Sequence, residues 1–254
     1  MHIDLLITPT GASELFFRDK NVVVIDVLRA STSIITALRN GAREVIPVAS
    51  VENAVKVSGS LFGDVVLRCG EREGRIIPGF NLGNSPFEYS TETVMNKSLI
   101  FTSTNGSLAM VKSKFARQII IAAFVNISTV VDYLAELDED FVIVCAGKEH
   151  NFCLEDVVCG GMIVQGLERR DIAVTLTDSA LAARSLYKTF GRSLYKMLRT
   201  CDHGNYLISI GFEEDLKMCA GVDTVPVLPM LDRGVIKLTN RAVSPPQRDD
   251  SSEM

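Results

Sequence analysis

The sequence predicts an α/β protein, a three-layer α/β/α arrangement around a mostly parallel sheet, and three observations carry that expectation. Short apolar runs, Val22–Ile25, Leu99–Phe101, Ile119–Ala123 and Phe141–Cys145, are continuous, as in strands buried on both faces. Each run feeds a polar turn, and apolar residues at helical spacing follow it, so strands and helices alternate. An apolar fraction of 47% over 254 residues supplies an ample core.

The elements follow in order. Ile3, Leu5 and Ile7 alternate with neighbours that can be exposed and open the chain as a strand, closed by a turn at Thr8–Gly11. Val22–Ile25 is the next strand and ends at Asp26; beyond Arg29, the hydroxyls Ser31, Thr32 and Ser33 precede Ile34, Ala37 and Leu38. That spacing reads as an amphipathic helix capped by one of the hydroxyls and stopped at Gly41. Glu44–Val48 forms another strand, with a helix capped by Ser50 running through Val51, Ala54 and Val55. Val65–Leu67 is a strand leading straight into Cys69-Gly70-Glu71-Arg72-Glu73-Gly74, a charged loop between glycines. Pro78–Pro86 holds too many breakers for regular structure, although Phe80 and Leu82 can anchor it as a site wall.

Leu99–Phe101 then leads into Thr102-Ser103-Thr104-Asn105-Gly106 and a helix through Leu108, Ala109, Val111 and Lys112. Ile119–Ala123 ends near Asn126 and Ser128, with a helix through Val130, Val131 and Leu134. Phe141–Cys145 reaches the turn Ala146–His150 and a helix whose first turn holds Glu155 and Asp156, where carboxylates also complement the helix dipole. Cys159, Gly160 and Gly161 let that helix approach a neighbour. From Thr177 the chain turns helical: Ala180–Leu186 after a capping Asp178, Leu194–Leu198, then a turn and an amphipathic helix over Gly204–Ile210 and Phe212–Ala220. Thr224–Leu228 reads as a last strand. The expected organisation is one domain over 1–238, with subdomains of about 1–125 and 126–238 left open, and a disordered polar tail over 239–254.

Composition narrows the function. A net charge of −5 with no Lys/Arg cluster argues against nucleic acid as a partner. The first 26 residues have no basic region followed by an apolar one, and Asp4, Glu14, Arg18, Asp19 and Lys20 interrupt any membrane span, so a cytoplasmic protein is expected. The six cysteines form no C-x-x-C pair and there are three histidines, which disfavours zinc and leaves a hard cation such as Mg²⁺.

The strand ends collect acids (Asp26, Glu71, Asp156), arginines (Arg29, Arg72) and hydroxyl or amide groups (Ser31, Thr32, Thr102, Thr104, Asn105). Asp26 could hold a metal or attack as a nucleophile, and Arg29 could grip an anion. Phosphoryl transfer needs such groups, because its developing charge spreads over oxygens that must be clamped. No P-loop, no dinucleotide-binding glycine motif after a strand and no G-x-S-x-G elbow occurs. Asp26-Val27-Leu28 begins like an aspartyl-nucleophile phosphatase but has Leu28 where a second aspartate belongs. Cys69 to Arg75 has the C-x5-R spacing of cysteine phosphatases without their preceding histidine.

Four long blocks, VVVIDVLRASTSIITALRNGA, GEREGRIIPGFNLGNSPFEY, FTSTNGSLAMV and FCLEDVVCGGMIV, resemble the 2-phosphosulfolactate phosphatase (ComB) family in order and spacing. The resemblance implies Mg²⁺-dependent hydrolysis of 2-phospho-3-sulfolactate to 3-sulfolactate and phosphate, a step towards coenzyme M, on an α/β/α fold of the family's own. By position it implies Asp26, Arg29, Glu71 and Arg72 as catalytic groups, and Asp26, Glu71, Asp156 and Glu155 around Mg²⁺. It places Ser31, Thr32, Asn81, Asn84, Ser85, Thr102, Thr104, Asn105 and Gly106 on substrate, with the helix starts at Ser31 and Asn105 on phosphate and Arg72 or Lys148 on the sulfonate. The family commonly has an acid where Asn81 stands, a serine at Cys153 and a glycine at Cys69. The other readings are a phosphatase for another small organic phosphate and an anion-binding relative without chemistry. The implied partner is a small phosphorylated sulfonate, and a homo-oligomer is left open.

Overall fold

The run Asn21–Ile25 is buried along its whole length, as a β-branched strand with neighbours on both edges and both faces must be. Around it the computed structural model, which describes residues 1–60, 66–149 and 151–239, builds an alternating α/β chain. The elements are β1 (His2–Leu6), β2 (Asn21–Ile25), α1 (Ala30–Arg39), β3 (Glu44–Pro47), α2 (Val51–Ser60), β4 (Val66–Arg72) and β5 (Arg75–Ile76). Next come α3 (Thr91–Val94), β6 (Ser98–Thr102), α4 (Gly106–Lys112), β7 (Gln118–Ala122), α5 (Ile127–Leu137), β8 (Phe141–Cys145) and α6 (Leu154–Glu168). The chain finishes with β9 (Thr175–Leu176), α7 (Asp178–Phe190), α8 (Leu194–Thr200), α9 (Asp202–Ser209), α10 (Glu213–Cys219) and the hairpin β10 (Pro229–Asp232) and β11 (Val235–Leu238). The expected tail beyond 239, the strand start at Val65 and the turn residue His150 lie outside the described residues.

The strands form one mixed, mostly parallel sheet in the order β5-β4-β6-β3-β11-β10-β7-β2-β8-β1-β9. Two parallel blocks, β4-β6-β3 and β7-β2-β8-β1-β9, are joined by the antiparallel β10–β11 hairpin. Helix α4 touches both β2 and β3, which stand four positions apart in the sheet. At about 4.8 Å per strand that separation is about 19 Å on a flat sheet, nearly twice a helix diameter of about 10 Å. The sheet therefore curls around α1 and α4. One core joins Val22, Val24, Val45, Leu99, Phe101, Ile119 and Ile121 to Ile34, Leu38 and Met110 of those helices. On the outer faces, α5, α6 and α7 cover the β2 block, and α2 covers the β6 block through Ala54.

This curl changes the character of α1. Instead of an amphipathic stripe, every residue from Ala30 to Leu38 is buried, so its hydroxyls must find partners inside the protein. They do: Thr32 and Thr36 donate to the Val27 and Thr32 carbonyls, Ser33 donates to the Asn84 carbonyl, and the Ser31 hydroxyl accepts the Asp26 N–H. The cap of α1 is consequently not a hydroxyl. The Asp26 carboxylate accepts the Ala30 N–H at 3.1 Å.

Ser50 caps α2 as its position predicts, accepting the Asn53 N–H. Gly161 sits where an added Cβ would lie 2.0 Å from the Ala183 carbonyl oxygen, so α6 and α7 pack backbone to backbone. Other local expectations need correction. Thr177, not Asp178, accepts the N-terminal N–H of α7. Cys69–Arg72 belongs to β4 instead of a loop, because Glu71 and Arg72 pair with Ile76 and Arg75 in a tight hairpin. Thr224–Leu228 is irregular, and the strand begins one residue later, at Pro229. Gly204–Ile210 is mostly helix α9 and not a turn.

Candidate active site

The curled sheet brings the carboxyl ends of β2, β4, β6 and β8 to one cavity of about 410 Å³, and α9 closes it from the C-terminal part of the chain. Asp26, Arg29, Glu71, Arg72, Asn84, Thr104, Asn105 and Lys148 line it, joined by Leu28, Glu73, Gly74, Glu149, His203, Tyr206 and Leu207.

Asp26 follows the last residue of β2. One carboxylate oxygen is spent on the Ala30 N–H, while Oδ2 has no hydrogen-bond donor among the described residues. Oδ2 reaches towards Gly106, where an added Cβ would stand 2.5 Å away, so the glycine makes room for the carboxylate and does not itself line the cavity. Burial pushes the Asp26 carboxyl up to about 6; the nearby His203 and the Ala30 N–H oppose this, and the negative charges of Glu71 and Glu155 add to it.

Glu71 is held rigidly. Its oxygens accept the Thr104 N–H and the Gly74 N–H, both at 2.8 Å, which ties β4 to the β6–α4 turn and fixes the acid at the cavity wall. Arg72 donates to the Glu71 carbonyl and to the Thr102 hydroxyl, and no carboxylate lies within ion-pair distance of it among the described residues. Lys148 lies 4.4 Å over the Tyr206 ring, a cation–π contact that aims its charge from the β8 end while leaving the ammonium unpaired by any carboxylate among the described residues.

Arg29 is at the cavity but engaged elsewhere. Only 2% exposed, it donates to Asp215 Oδ2 and to the Gly74 carbonyl, both at 2.6 Å, and stacks 4.3 Å from the Phe212 ring. Ser85 donates to the other Asp215 oxygen, so Ser85 and Arg29 together anchor α10 beneath the site, and Ser85 does not reach the cavity.

Several expected contacts are replaced by structural ones. Ser31 and Thr32 are fully buried and their hydroxyls stitch the Asp26–Thr32 turn, while the N–H groups of Ala30 and Ser31 are taken by Asp26 itself. The Ala30 and Ser31 N–H groups at the start of α1 are therefore not free to meet phosphate. Thr102 is buried beneath Arg72 and orients it. Asn81 is exposed, outside the cavity, and its side chain accepts the Arg68 N–H, so the family's acid there has no cavity counterpart in this chain. Cys69 is buried beside Tyr89, and burial drives its thiol far up, which removes the cysteine-phosphatase reading.

Asp156 does not share the cavity with Asp26 and Glu71. Its oxygens accept the Val27 and Gly147 N–H groups, joining the β2 and β8 turns from behind. Burial drives it well above the carboxylate range, and Glu155 and Asp26 push it further. Glu155 faces an adjoining pocket of about 470 Å³ with Cys153 and His203. There His203 Nδ1 lies 3.1 Å from one of its oxygens. Burial raises the Glu155 carboxyl, but the His203 hydrogen bond and charge outweigh it and hold the group below its ordinary value.

Sequence reasoning missed His203, Tyr206 and Asp215. Asp202-His203-Gly204 reads as an ordinary helix start, and nothing local says that this helix docks on strand ends more than a hundred residues away.

An α/β protein whose strand ends gather two acids, an arginine and a lysine around one small cavity has the charges to take a compact anion there. The comparisons agree with that class. A family profile described as 2-phosphosulpholactate phosphatase matches residues 7–234. A probable 2-phosphosulfolactate phosphatase of Caldanaerobacter subterraneus subsp. tengcongensis is 40% identical over 225 residues, 87% of this chain and 91% of the relative. Proteins of the same description from Thermotoga maritima and Clostridium acetobutylicum are 39% and 37% identical over 236 residues, 93% of this chain and 98% and 100% of theirs. The chain belongs to the 2-phosphosulfolactate phosphatase family.

Proposed function

We propose that this chain is a Mg²⁺-dependent phosphatase that hydrolyses 2-phospho-3-sulfolactate to 3-sulfolactate and phosphate. The observation that carries the reading is the meeting of Asp26 and Glu71, from separate family blocks, with Arg72 and Lys148 at one cavity. The donor set fits a hard divalent cation: Asp26 Oδ2 is without a donor, Gly106 leaves it space, and Glu71 stands beside it with both oxygens oriented. Asp26 and Glu71 would hold the ion. Such an ion supplies Lewis-acid polarisation of the phosphoryl oxygens and charge neutralisation.

The rest follows from the chain's own groups. Arg72, kept in place by the Glu71 carbonyl and Thr102, presents a fixed guanidinium to an anionic oxygen, where a planar donor pair is worth more than a mobile charge. Lys148, from the β8 end of the cavity, takes the second anion of the substrate, the sulfonate. Thr104 and Asn105 border the phosphate end, with Asn105 held by the Glu149 N–H. Asp26, with its carboxyl near 6 in the metal-free chain, is largely ionised at neutral pH and so available to a cation. The Arg29–Asp215 pair fixes the hairpin and α10 around these groups.

Phosphate release from 2-phospho-3-sulfolactate, set beside a panel of esters lacking the sulfonate, tests the reading. Preference for the sulfonated ester is expected. Equal turnover of unsulfonated esters assigns the enzyme to another small phosphate, and binding without turnover of any ester assigns it no chemistry.

A further inference from the structure

Cys153, Glu155 and His203 each offer one ligand atom, and the atoms lie within 4.8 Å of one another, beside the cavity but outside the acid set assigned above. We propose that these side chains form a second cation site, selective for a borderline-soft divalent ion of the Zn²⁺ class and distinct from the Asp26–Glu71 site. A thiolate, an imidazole and a carboxylate suit such an ion, whereas Mg²⁺ takes oxygen ligands and keeps its waters.

Two features single this cluster out from an ordinary polar contact. Glu155 is 1% exposed, and among the described residues its Oε2 meets no donor in hydrogen-bonding geometry, the thiols of Cys153 and Cys201 lying near the carboxylate, although its other oxygen meets His203. A buried acceptor left without a donor is rare, and a cation is one of the few things that satisfies it. All three side chains also line one pocket of about 470 Å³, beside the cavity that holds Asp26 and Glu71.

Local structure explains how the ligands converge. Cys153 is the residue before α6 and Glu155 lies in the first turn of that helix, so one turn of backbone presents both. His203 comes from the first turn of α9, whose N-cap is Cys201; that sulfur is already engaged with the Leu198 carbonyl and the Gly204 N–H. Ligands at about 2.0–2.3 Å from a tetrahedral zinc are about 3.5 Å apart, so rotamer adjustments of about 1 Å close the site. His203 lines both pockets, so the site borders the substrate cavity. Counting histidines disfavours zinc when one chain segment must supply several. Here two helix starts supply one ligand of each kind.

The test is titration of chelator-stripped protein with Co²⁺, read by absorption. A thiolate-to-cobalt charge-transfer band in the near ultraviolet is expected, displaced by Zn²⁺ and not by an equal concentration of Mg²⁺. The band should vanish in C153S, the conservative hydroxyl replacement, and remain in D26N. In H203Q the affinity should fall by more than the about 10–100-fold that an outer-shell loss costs. No band, a band unchanged in C153S, or ready displacement by Mg²⁺ overturns the site. The readout is independent of turnover. A Mg²⁺-dependent phosphatase without the band refutes this site alone, and an inactive protein with a Cys153-dependent band supports it while refuting the phosphatase reading.

Discussion

Replacing Asp26 with asparagine should stabilise the metal-free protein at neutral pH and abolish its turnover. In the folded chain the Asp26 carboxyl is pushed from 3.8 to about 6, chiefly by burial. Holding it ionised therefore costs folding free energy, about 3 kcal/mol for a displacement of that size. The direction follows from linkage. Below pH 3.8 both folded and unfolded chains carry the proton and the cost vanishes; between about 4 and 6 the unfolded chain ionises first and stability falls; above about 6 the full penalty remains. Asparagine keeps an acceptor for the Ala30 N–H and carries no charge. D26N should match the wild type near pH 3.5 and exceed it by up to about 3 kcal/mol at pH 8 in chelator, an increase of about 6–12 °C in Tm. Urea unfolding of both proteins across this pH range measures the difference directly. Excess Mg²⁺ should shrink the gap, because only the wild type gains from binding it. A D26N difference that does not change with pH, or a mutant that is less stable at pH 8 than at pH 3.5 relative to wild type, refutes the reasoning.

R29A should destabilise the fold by about 3–5 kcal/mol, because Asp215, 3% exposed, would be left charged and buried without its partner. Unfolding the R29A/D215N double mutant should recover part of that loss, the mark of a direct pair. G106A places a methyl 2.5 Å from Asp26 Oδ2; turnover should fall about 100-fold, the scale of a 1 Å misplacement, with the circular dichroism spectrum kept. K148A should raise KM for a sulfonated ester more than for an unsulfonated one and leave Tm nearly unchanged, since among the described residues the lysine ammonium makes no ion pair and rests on the Tyr206 ring. Steady-state kinetics with both esters checks this.

What could be read from the chain divides along the range of the interactions. Val22–Ile25 announces a central strand because a β-branched run has few other stable fates, and Ser50 announces a helix start because its hydroxyl reaches an N–H three residues on. The approach of Asp26 to Glu71 and Thr104 came from whole-block resemblance, which encodes a shared fold, and not from spacing. The hydroxyls of Ser31 and Thr32 misled for a physical reason: in a helix exposed on one side they would be free to cap or bind, but the curl of the sheet buries α1 on every side and they are consumed by the turn. Arg29 looked like an anion grip because Asp215, its partner, is 186 residues away. The β10–β11 hairpin escaped notice since its turn, Asp232-Arg233-Gly234, lacks the usual Asn-Gly signal and its place between two parallel blocks depends on the whole sheet.

The central claim is that Asp26 and Glu71 hold a cation that makes the cavity a phosphatase site. Phosphate release from 2-phospho-3-sulfolactate by the purified protein, followed before and after chelation and again after Mg²⁺ is restored, tests it most directly. The account predicts turnover that chelator abolishes, that Mg²⁺ restores in the wild type, and that Mg²⁺ does not restore in D26N or E71Q. Turnover indifferent to chelator, or full activity in either variant, would contradict it.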